Sequence, residues 1–136
     1  ELHQRGYKVG LVSGGFHEVI DPIAKSLGID LVRANRLQTF DGRLTGKVLG
    51  EIVTPERKKD SLLTWARENH IQRSQTIAMG DGANDLPMIE TAGVGIAFMA
   101  KPIVAERAPY RIETRDLRLV LEILDQHRKE TACISY

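Results

Sequence analysis

The sequence has a single cysteine, almost no net charge and no long hydrophobic run. Cys133 has no partner for an intrachain disulfide, which is compatible with a reducing cytoplasm, where we expect the protein. The formal net charge of +1 lacks the basic excess that phosphate-backbone binding requires. No apolar run approaches the roughly 18 to 20 residues of a membrane span. We therefore expect neither nucleic acid nor a membrane as a main partner.

The composition that remains is typical of one soluble globular domain, with 42% hydrophobic and 27% charged residues in a chain of 136. The four histidines lack the spacing of metal ligands, and no cysteine pair exists to complete a zinc site. The chain opens with Glu1 instead of Met, and residues 1–7 have the pattern of a helix end capped by Gly6. We expect that an N-terminal portion is missing.

Three short apolar runs predict buried parallel strands, because each is too short for a buried helix and is bounded by glycine or charge. These runs are residues 9–12, 77–79 and 94–99. Helical patterns follow, over residues 16–27, 54–66, 85–92 and 116–127. The alternation predicts an α/β domain in which helices cover the faces of a parallel sheet. No internal repeat or long linker interrupts it, so we expect one domain.

Single residues mark the predicted ends of these helices. Gly28 ends the first helix, and Pro22 either kinks it or starts it with the preceding aspartate as cap; we favour the kink. Thr54, followed by proline, is a good N-cap for the second helix. Asp85 is expected to cap the third helix, which Gly93 closes.

Two further segments depart from the strand and helix alternation. Asp41-Gly42 between extended stretches predicts a small antiparallel hairpin insert over about residues 36–50. The tail, about residues 129–136, lacks periodicity and is expected to fray.

The residues after each predicted strand are the first place to look for a ligand site, because open α/β sheets bind ligands beyond the carboxyl ends of their strands. Gly80-Asp81-Gly82-Ala83-Asn84-Asp85 follows one strand and holds two carboxylates and an amide. Magnesium commonly takes one or two protein carboxylates and completes its shell with water and phosphate oxygens. Asp81 is the natural direct ligand, and Asp85 could orient a metal-bound water or hold a lysine. The alternative is a plain turn with Asx hydrogen bonds and a capped helix.

Ser13-Gly14-Gly15 follows the first predicted strand and opens a helix, an arrangement in which a hydroxyl and backbone N–H groups hold a phosphate. A serine nucleophile elbow requires glycine two residues before the serine, where this sequence has Leu11. No dinucleotide fingerprint follows any strand. An ordinary strand-to-helix turn remains the alternative.

Lys58 lies in the first turns of the second helix, where the helix dipole disfavours a cation by roughly 0.3 to 1 kcal/mol. Stabilising a transferring phosphoryl group, or pairing with Asp85, would favour an ammonium there. Alternatively, residues 57–59 are a solvated charge run. The sequence order does not separate Lys58 from Lys59.

Taken together, these segments resemble the phosphoserine phosphatases of the haloacid dehalogenase superfamily. The similarity covers about residues 2–127, and it is carried by residues 13–16, 34–37, 41–46, the Lys58 region, residues 80–85 and residues 100–102. The aspartate loop alone would indicate only the superfamily. Its combination with the Ser-Gly-Gly-Phe turn and the Asp-Gly hairpin points to the phosphoserine enzymes.

The resemblance implies a Rossmann-like core with helices on both faces of a parallel sheet, Mg²⁺ as cofactor and O-phosphoserine as substrate. It implies that Ser13 and Gly14 bind the phosphoryl group, that Lys58 is the motif lysine and that Asp81 ligates Mg²⁺. It further implies that Asn84 contacts substrate and that Asp85 supports the lysine and, indirectly, the metal.

The departure from the family pattern is as informative as the match. The family begins with an Asp-x-Asp motif on a central strand, followed by a helical cap that reads serine, and this chain has neither. We therefore expect it to be the C-terminal part of such an enzyme, inactive by itself. The alternatives are a phosphatase for another small phosphate ester, a receiver-like phosphate and magnesium-binding module, and a catalytically silent binding module.

Overall fold

The computed structural model describes residues 1–133 and divides into two compact units, Glu1–Lys58 and the part of the chain from Lys59 onward. The strands are β1 (Gly10–Phe16), β2 (Leu31–Phe40), β3 (Arg43–Leu49), β4 (Ile77–Gly80), β5 (Val94–Phe98) and β6 (Tyr110–Ile112). The helices are α1 (His17–Leu27), α2 (Pro55–Glu68), α3 (Leu86–Thr91), α4 (Pro102–Arg107) and α5 (Leu119–Cys133). The expectation of one domain stays a prediction.

The described strands form two sheets, one in each unit, in the orders β1-β2-β3 and β4-β5-β6. The α/β class with parallel strands and flanking helices is confirmed. The predictions missed residues 31–35 of β2, whose mixed polar and apolar character hides an extended segment, and β6, which has only three residues. A strand this short leaves almost no periodic pattern in the sequence.

In the first unit, β1 pairs with β2 in parallel and β2 pairs with β3 in antiparallel orientation. Asp41 and Gly42 connect β2 to β3 with positive φ angles of 51° and 72°, the backbone that a two-residue type I′ turn requires. Glycine adopts such angles without a steric penalty, and aspartate is among the side chains that tolerate them. The predicted hairpin is confirmed.

Helix α1 runs through Pro22 and ends at Gly28, which has a left-handed φ of 68°. The backbone N–H of Ile29 donates to Ala24 O at 2.9 Å and closes the helix end. A helix start at Pro22 was the alternative, and it is wrong. Ser13-Gly14-Gly15 was predicted to follow the first strand and open this helix; the segment instead belongs to β1, which continues to Phe16, and the helix begins at His17.

Asp30 fixes the entry into the first sheet. Its Oδ2 accepts a hydrogen bond from Val9 N at 2.7 Å and lies 2.8 Å from His3 Nε2. These contacts hold the pKa of the Asp30 carboxyl below its ordinary value of 3.8. In residues 1–7, the backbone N–H of Tyr7 donates to Leu2 O and closes the turn at Gly6, as at the end of a helix.

In the second unit, β4, β5 and β6 are all parallel, and the core packs against β5. The side chains of Ile89, Ile96 and Val104 are almost completely buried. Helix α3 ends before Ala92, whose backbone is extended, so the predicted closure at Gly93 is wrong. Burial of Ile89 on α3 against β5 supplies the packing energy that so short a helix needs.

Helix α5 begins three residues later than predicted and reaches Cys133. Leu117, expected to face inward, precedes the helix and is 59% exposed, whereas Val120 and Leu124 are buried. Residues 129–133 are helical rather than irregular, and residues 134–136 of the expected frayed tail lie outside the described residues. None of the helices in residues 1–133 has both the length and the apolar character required to cross a membrane.

Candidate functional site

The loop after β4 is organised by the side chain of Asp85. This carboxylate is buried, and its Oδ2 accepts hydrogen bonds from Asp81 N at 3.2 Å and Gly82 N at 3.3 Å. A short 3₁₀ turn, Ala83–Asp85, returns the chain so that Asp85 N donates to Gly82 O at 2.9 Å. Asp85 occupies the N-cap position of α3, as predicted, but its side chain makes no cap hydrogen bond to that helix. The carboxylate instead holds the backbone of the loop that precedes it.

Gly80 makes this loop possible because a side chain there would overlap Asp85. A Cβ on Gly80 would lie 2.5 Å from both Cγ and Oδ2 of Asp85. A Cβ on Gly82 would lie 2.6 Å from Oδ1 of Asn84, but this atom ends an exposed side chain that can turn away. Both distances are far inside van der Waals contact. The loop is therefore a tight cradle in which the buried carboxylate occupies the space beside Gly80.

Asp81 stands at the carboxyl end of β4 and is exposed. Its backbone is fixed on both sides, since its N–H donates to Asp85 and its carbonyl oxygen accepts from Lys101 N at 3.2 Å. Lys101 belongs to the loop after β5, within residues 100–102, one of the segments that carry the family resemblance. The structure assigns its backbone N–H to the support of Asp81.

The donor set of this loop suits a hard divalent cation. One exposed carboxylate at a strand end and one buried carboxylate beside it match the sites in which Mg²⁺ keeps water and substrate oxygens as its other ligands. Within residues 1–133 there is no group of three or more His, Cys, Asp or Glu side chains that could enclose a metal. A fully enclosed site such as structural zinc requires is thus not found in that part of the chain.

In the first unit, residues 13–15 form a bulge in β1. Val12 pairs with Arg33 and Phe16 pairs with Asn35, so three residues of β1 stand opposite the single residue Ala34 of β2. Bulges of this kind interrupt the ladder and are common next to active sites. The bulge explains how Ser13-Gly14-Gly15 belongs to a strand and still departs from regular pairing.

Hydrogen bonds from side chains hold the bulge. Ser13 Oγ accepts from Gly15 N at 3.0 Å. The carbonyl oxygen of Gly14 accepts from Asn35 Nδ2 at 2.9 Å. Gly14 itself is exposed, and a Cβ on it would meet no atom within 4 Å. The bulge thus presents an open backbone surface next to a half-buried hydroxyl.

Helix α2 begins as the sequence predicted. Thr54 Oγ1 accepts from Arg57 N at 3.2 Å, which confirms the predicted N-cap. Lys58 N donates to Thr54 O at 3.0 Å and so begins the helical hydrogen-bond pattern. The residue before the cap, Val53, donates its N–H to Asn35 Oδ1 at 2.7 Å.

Burial separates the two lysines that sequence order does not distinguish. Lys58 is 7% exposed, whereas Lys59 is only partly buried and Arg57 forms an ion pair with Glu51. A solvated charge run therefore does not describe Lys58. A buried ammonium group requires a hydrogen-bonding or charged partner, so burial distinguishes Lys58 from its solvated neighbours.

Each unit brings part of the predicted site together. The first unit connects Ser13 and Gly14 to the start of α2, which carries Lys58. The second unit brings together Asp81, Asn84 and Asp85. The approach of these two groups to each other stays a prediction. Sequence reasoning missed a role for Asn35, and the available signal was its place in residues 34–37, one of the segments that carry the family resemblance.

Comparison with known proteins identifies the class. The family model for haloacid dehalogenase-like hydrolases matches residues 1–90, and the chain belongs to this family. It is 66% identical over 126 residues to a phosphoserine phosphatase of Streptococcus thermophilus, covering 93% of this chain and 59% of that protein.

Solved structures agree with this assignment. A probable phosphoserine phosphatase from Vibrio cholerae superposes with a TM-score of 0.88 at 42% identity, covering 91% of this chain and 38% of that one. A phospho-aspartyl intermediate analogue of phosphoserine phosphatase superposes with a TM-score of 0.83 at 47% identity, covering 90% and 58% of the two chains. The 136 residues thus span less than two thirds of the proteins they resemble.

Proposed function

We propose that the full-length protein hydrolyses O-phosphoserine to serine and inorganic phosphate with Mg²⁺, in the cytoplasm, as a step of serine biosynthesis. The observation that carries this proposal is the loop in which buried Asp85 holds the backbone N–H groups of Asp81 and Gly82 and leaves Asp81 exposed at the strand end. The similarity to the Streptococcus thermophilus phosphoserine phosphatase supports the choice of substrate.

In this proposal Asp81 would hold Mg²⁺ directly, and Asp85 would act on it indirectly through the loop. The bound cation would neutralise charge on the phosphate oxygens. Asn84, exposed on the 3₁₀ turn, would contact substrate. Because Asp85 already anchors two backbone N–H groups, Asp81 keeps a fixed position without reorganisation during the reaction.

The first unit would bind the phosphoryl group. The Ser13 hydroxyl can donate to a phosphate oxygen while its Oγ accepts from Gly15 N. The exposed backbone at Gly14 lets a phosphate approach closely, because no side chain stands there. Lys58 would neutralise the negative charge that shifts between oxygens in the transition state.

The reaction proceeds in two transfers, by resemblance to the family. An aspartate attacks phosphorus, the bond from phosphorus to the serine oxygen breaks, and serine leaves with a proton from a second aspartate. Water then attacks the phosphoaspartyl group and releases phosphate. Residues 1–136 contain no Asp-x-Asp motif to supply these two aspartates. Since loss of a covalent nucleophile can cost about 10⁶ in rate, we expect residues 1–136 alone to be inactive.

The decisive experiment measures phosphate release by the full-length protein and by residues 1–136 from a panel of small phosphate esters. We expect phosphoserine to be preferred, chelation of Mg²⁺ to abolish turnover, and residues 1–136 to be silent. The variant Asp81→Asn should lower kcat at least about 100-fold. Asp60→Asn, an exposed aspartate of α2, serves as the matched control and should leave kcat unchanged.

Other outcomes would point to the alternatives. Preference for a different ester would indicate a related phosphatase. A phosphoryl group retained for a long time after treatment with a phosphodonor, without turnover, would indicate a receiver-like module. A coding sequence without an Asp-x-Asp motif upstream of Glu1 would indicate a silent binding module.

A further inference from the structure

Asn35 is the most unusual side chain of the first unit, because it is a buried amide that joins two separate segments of backbone. It is 6% exposed and lies on β2. Its Nδ2 donates to Gly14 O at 2.9 Å, and its Oδ1 accepts from Val53 N at 2.7 Å. Both ends of the amide are thus engaged with backbone groups that lie far apart in sequence.

The orientation of this amide follows from its partners. A carbonyl oxygen can only accept a hydrogen bond, and a backbone N–H can only donate one. The NH₂ group must therefore face Gly14, and the oxygen must face Val53. Aspartate would lack the donor, leucine would lack both functions, and glutamine would be one methylene too long.

The side chain of Asn35 forms its hydrogen bond at the place where the pairing of β1 with β2 is interrupted. The bulge at residues 13–15 interrupts the ladder between β1 and β2, so backbone groups there need partners from elsewhere. Asn35 supplies one for Gly14 O. His17 Nε2 supplies another, accepting from Ala34 N at 3.2 Å. The shape of the bulge therefore depends on side chains rather than on the sheet.

The other end of the amide fixes the start of α2. Val53 immediately precedes Thr54, the N-cap, and Lys58 follows one helical turn later. A shift of Val53 would move the cap and the lysine with it. One side chain thus sets the distance between the Ser13-Gly14 backbone and the first turn of α2.

We infer that Asn35 is a positioning residue that holds the bulge of β1 and the lysine-bearing turn of α2 in register for a shared phosphoryl group. The inference rests on the proposed function, because it assigns the phosphoryl group to Ser13, Gly14 and Lys58. Asn35 acts through these residues and need not touch the substrate itself.

The test compares Asn35→Asp with Asn69→Asp in the full-length protein. Aspartate at position 35 keeps the acceptor for Val53 but faces Gly14 O with a second acceptor. Asn69 is the matched control, because its Nδ2 also donates to a backbone carbonyl, Trp65 O at 2.8 Å, but at the end of α2. We expect Asn35→Asp to lower kcat for phosphoserine about 100-fold per folded molecule, as small displacements of binding groups do. Asn69→Asp should leave kcat within about twofold of the unmodified protein, since a partly buried amide on its own helix affects stability first.

A merely structural role would lower the urea midpoint and leave kcat per folded molecule unchanged, and this result would overturn the inference. Equal losses of kcat in both variants would overturn it too.

A second measurement needs neither variant nor substrate. Inorganic phosphate is titrated into the unmodified protein while amide NMR signals are followed. We expect the backbone signals of Gly14 and Gly15 to shift together with the Asn35 side-chain amide and Val53 N–H. Shifts at the glycines alone would overturn the inference. Coupled shifts in a protein that does not hydrolyse phosphoserine would refute the proposed function and retain the role of Asn35.

Discussion

Replacing Gly80 with alanine tests the cradle at the end of β4. The new Cβ would lie 2.5 Å from Cγ and Oδ2 of Asp85, where ordinary contact begins at 3.4 Å. One of the two groups must therefore move by about 0.9 Å, and the strand backbone is the more rigid of them because it is hydrogen-bonded to β5. The displacement falls on the Asp85 side chain, because the new methyl meets its Cβ, Cγ and Oδ2.

The loss of stability in Gly80→Ala follows from the two backbone N–H groups that Asp85 binds. Its bonds to Asp81 N and Gly82 N are 3.2 and 3.3 Å long, so lengthening by a few tenths of an ångström breaks them. Overpacking costs about 1–3 kcal/mol, and leaving the two backbone N–H donors without their acceptor adds about the same. We expect Gly80→Ala to lower the free energy of unfolding by about 2–6 kcal/mol.

Urea unfolding followed by circular dichroism measures this loss. Gly14→Ala is the control for stability, because its Cβ meets open space, and it should stay within about 0.5 kcal/mol. In an Asp85→Gly background the obstructing atoms are gone, so the penalty of Gly80→Ala should shrink by more than about 1 kcal/mol. An unchanged urea midpoint for Gly80→Ala, or an equal penalty in both backgrounds, would refute the steric reasoning.

Three other predictions concern single residues. Lys58→Met should lower kcat of the full-length protein about 100- to 1000-fold, whereas Lys59→Met should leave it nearly unchanged, as steady-state kinetics will show. Gly95→Ala drives a Cβ into the backbone of Ile89 and to 2.9 Å from its Cγ2, which should cost about 3 kcal/mol in urea unfolding. Because the folded pKa of Asp30 is lowered from 3.8, its contribution to stability is present at neutral pH and lost as pH falls below that value. As the pH is lowered from about 6 to 2, the urea midpoint should therefore decrease less for Asp30→Asn than for the unmodified protein.

The sequence by itself determined the features that depend on neighbouring residues. The Asp41-Gly42 turn, the threonine cap of α2 and the glycine end of α1 were all predictable, because each is set by local backbone preferences. The buried strands β4 and β5 were predictable too, because each is a short run of apolar residues that are contiguous in the sequence. The resemblance in the loops after the strands was likewise carried by short, contiguous motifs.

Only the tertiary structure decided which polar groups meet. Asp85 stands at the N-cap position of α3, but the fold of the loop turns its carboxylate back to the N–H groups of Asp81 and Gly82. Asn35 joins Gly14 to Val53, positions 21 and 18 residues away in the chain, so no local pattern reveals the contact. Lys58 differs from Lys59 through burial, which depends on the direction that each helical position faces. These contacts arise from folding because hydrogen bonds and burial act through space, whereas sequence patterns record only what neighbours along the chain prefer.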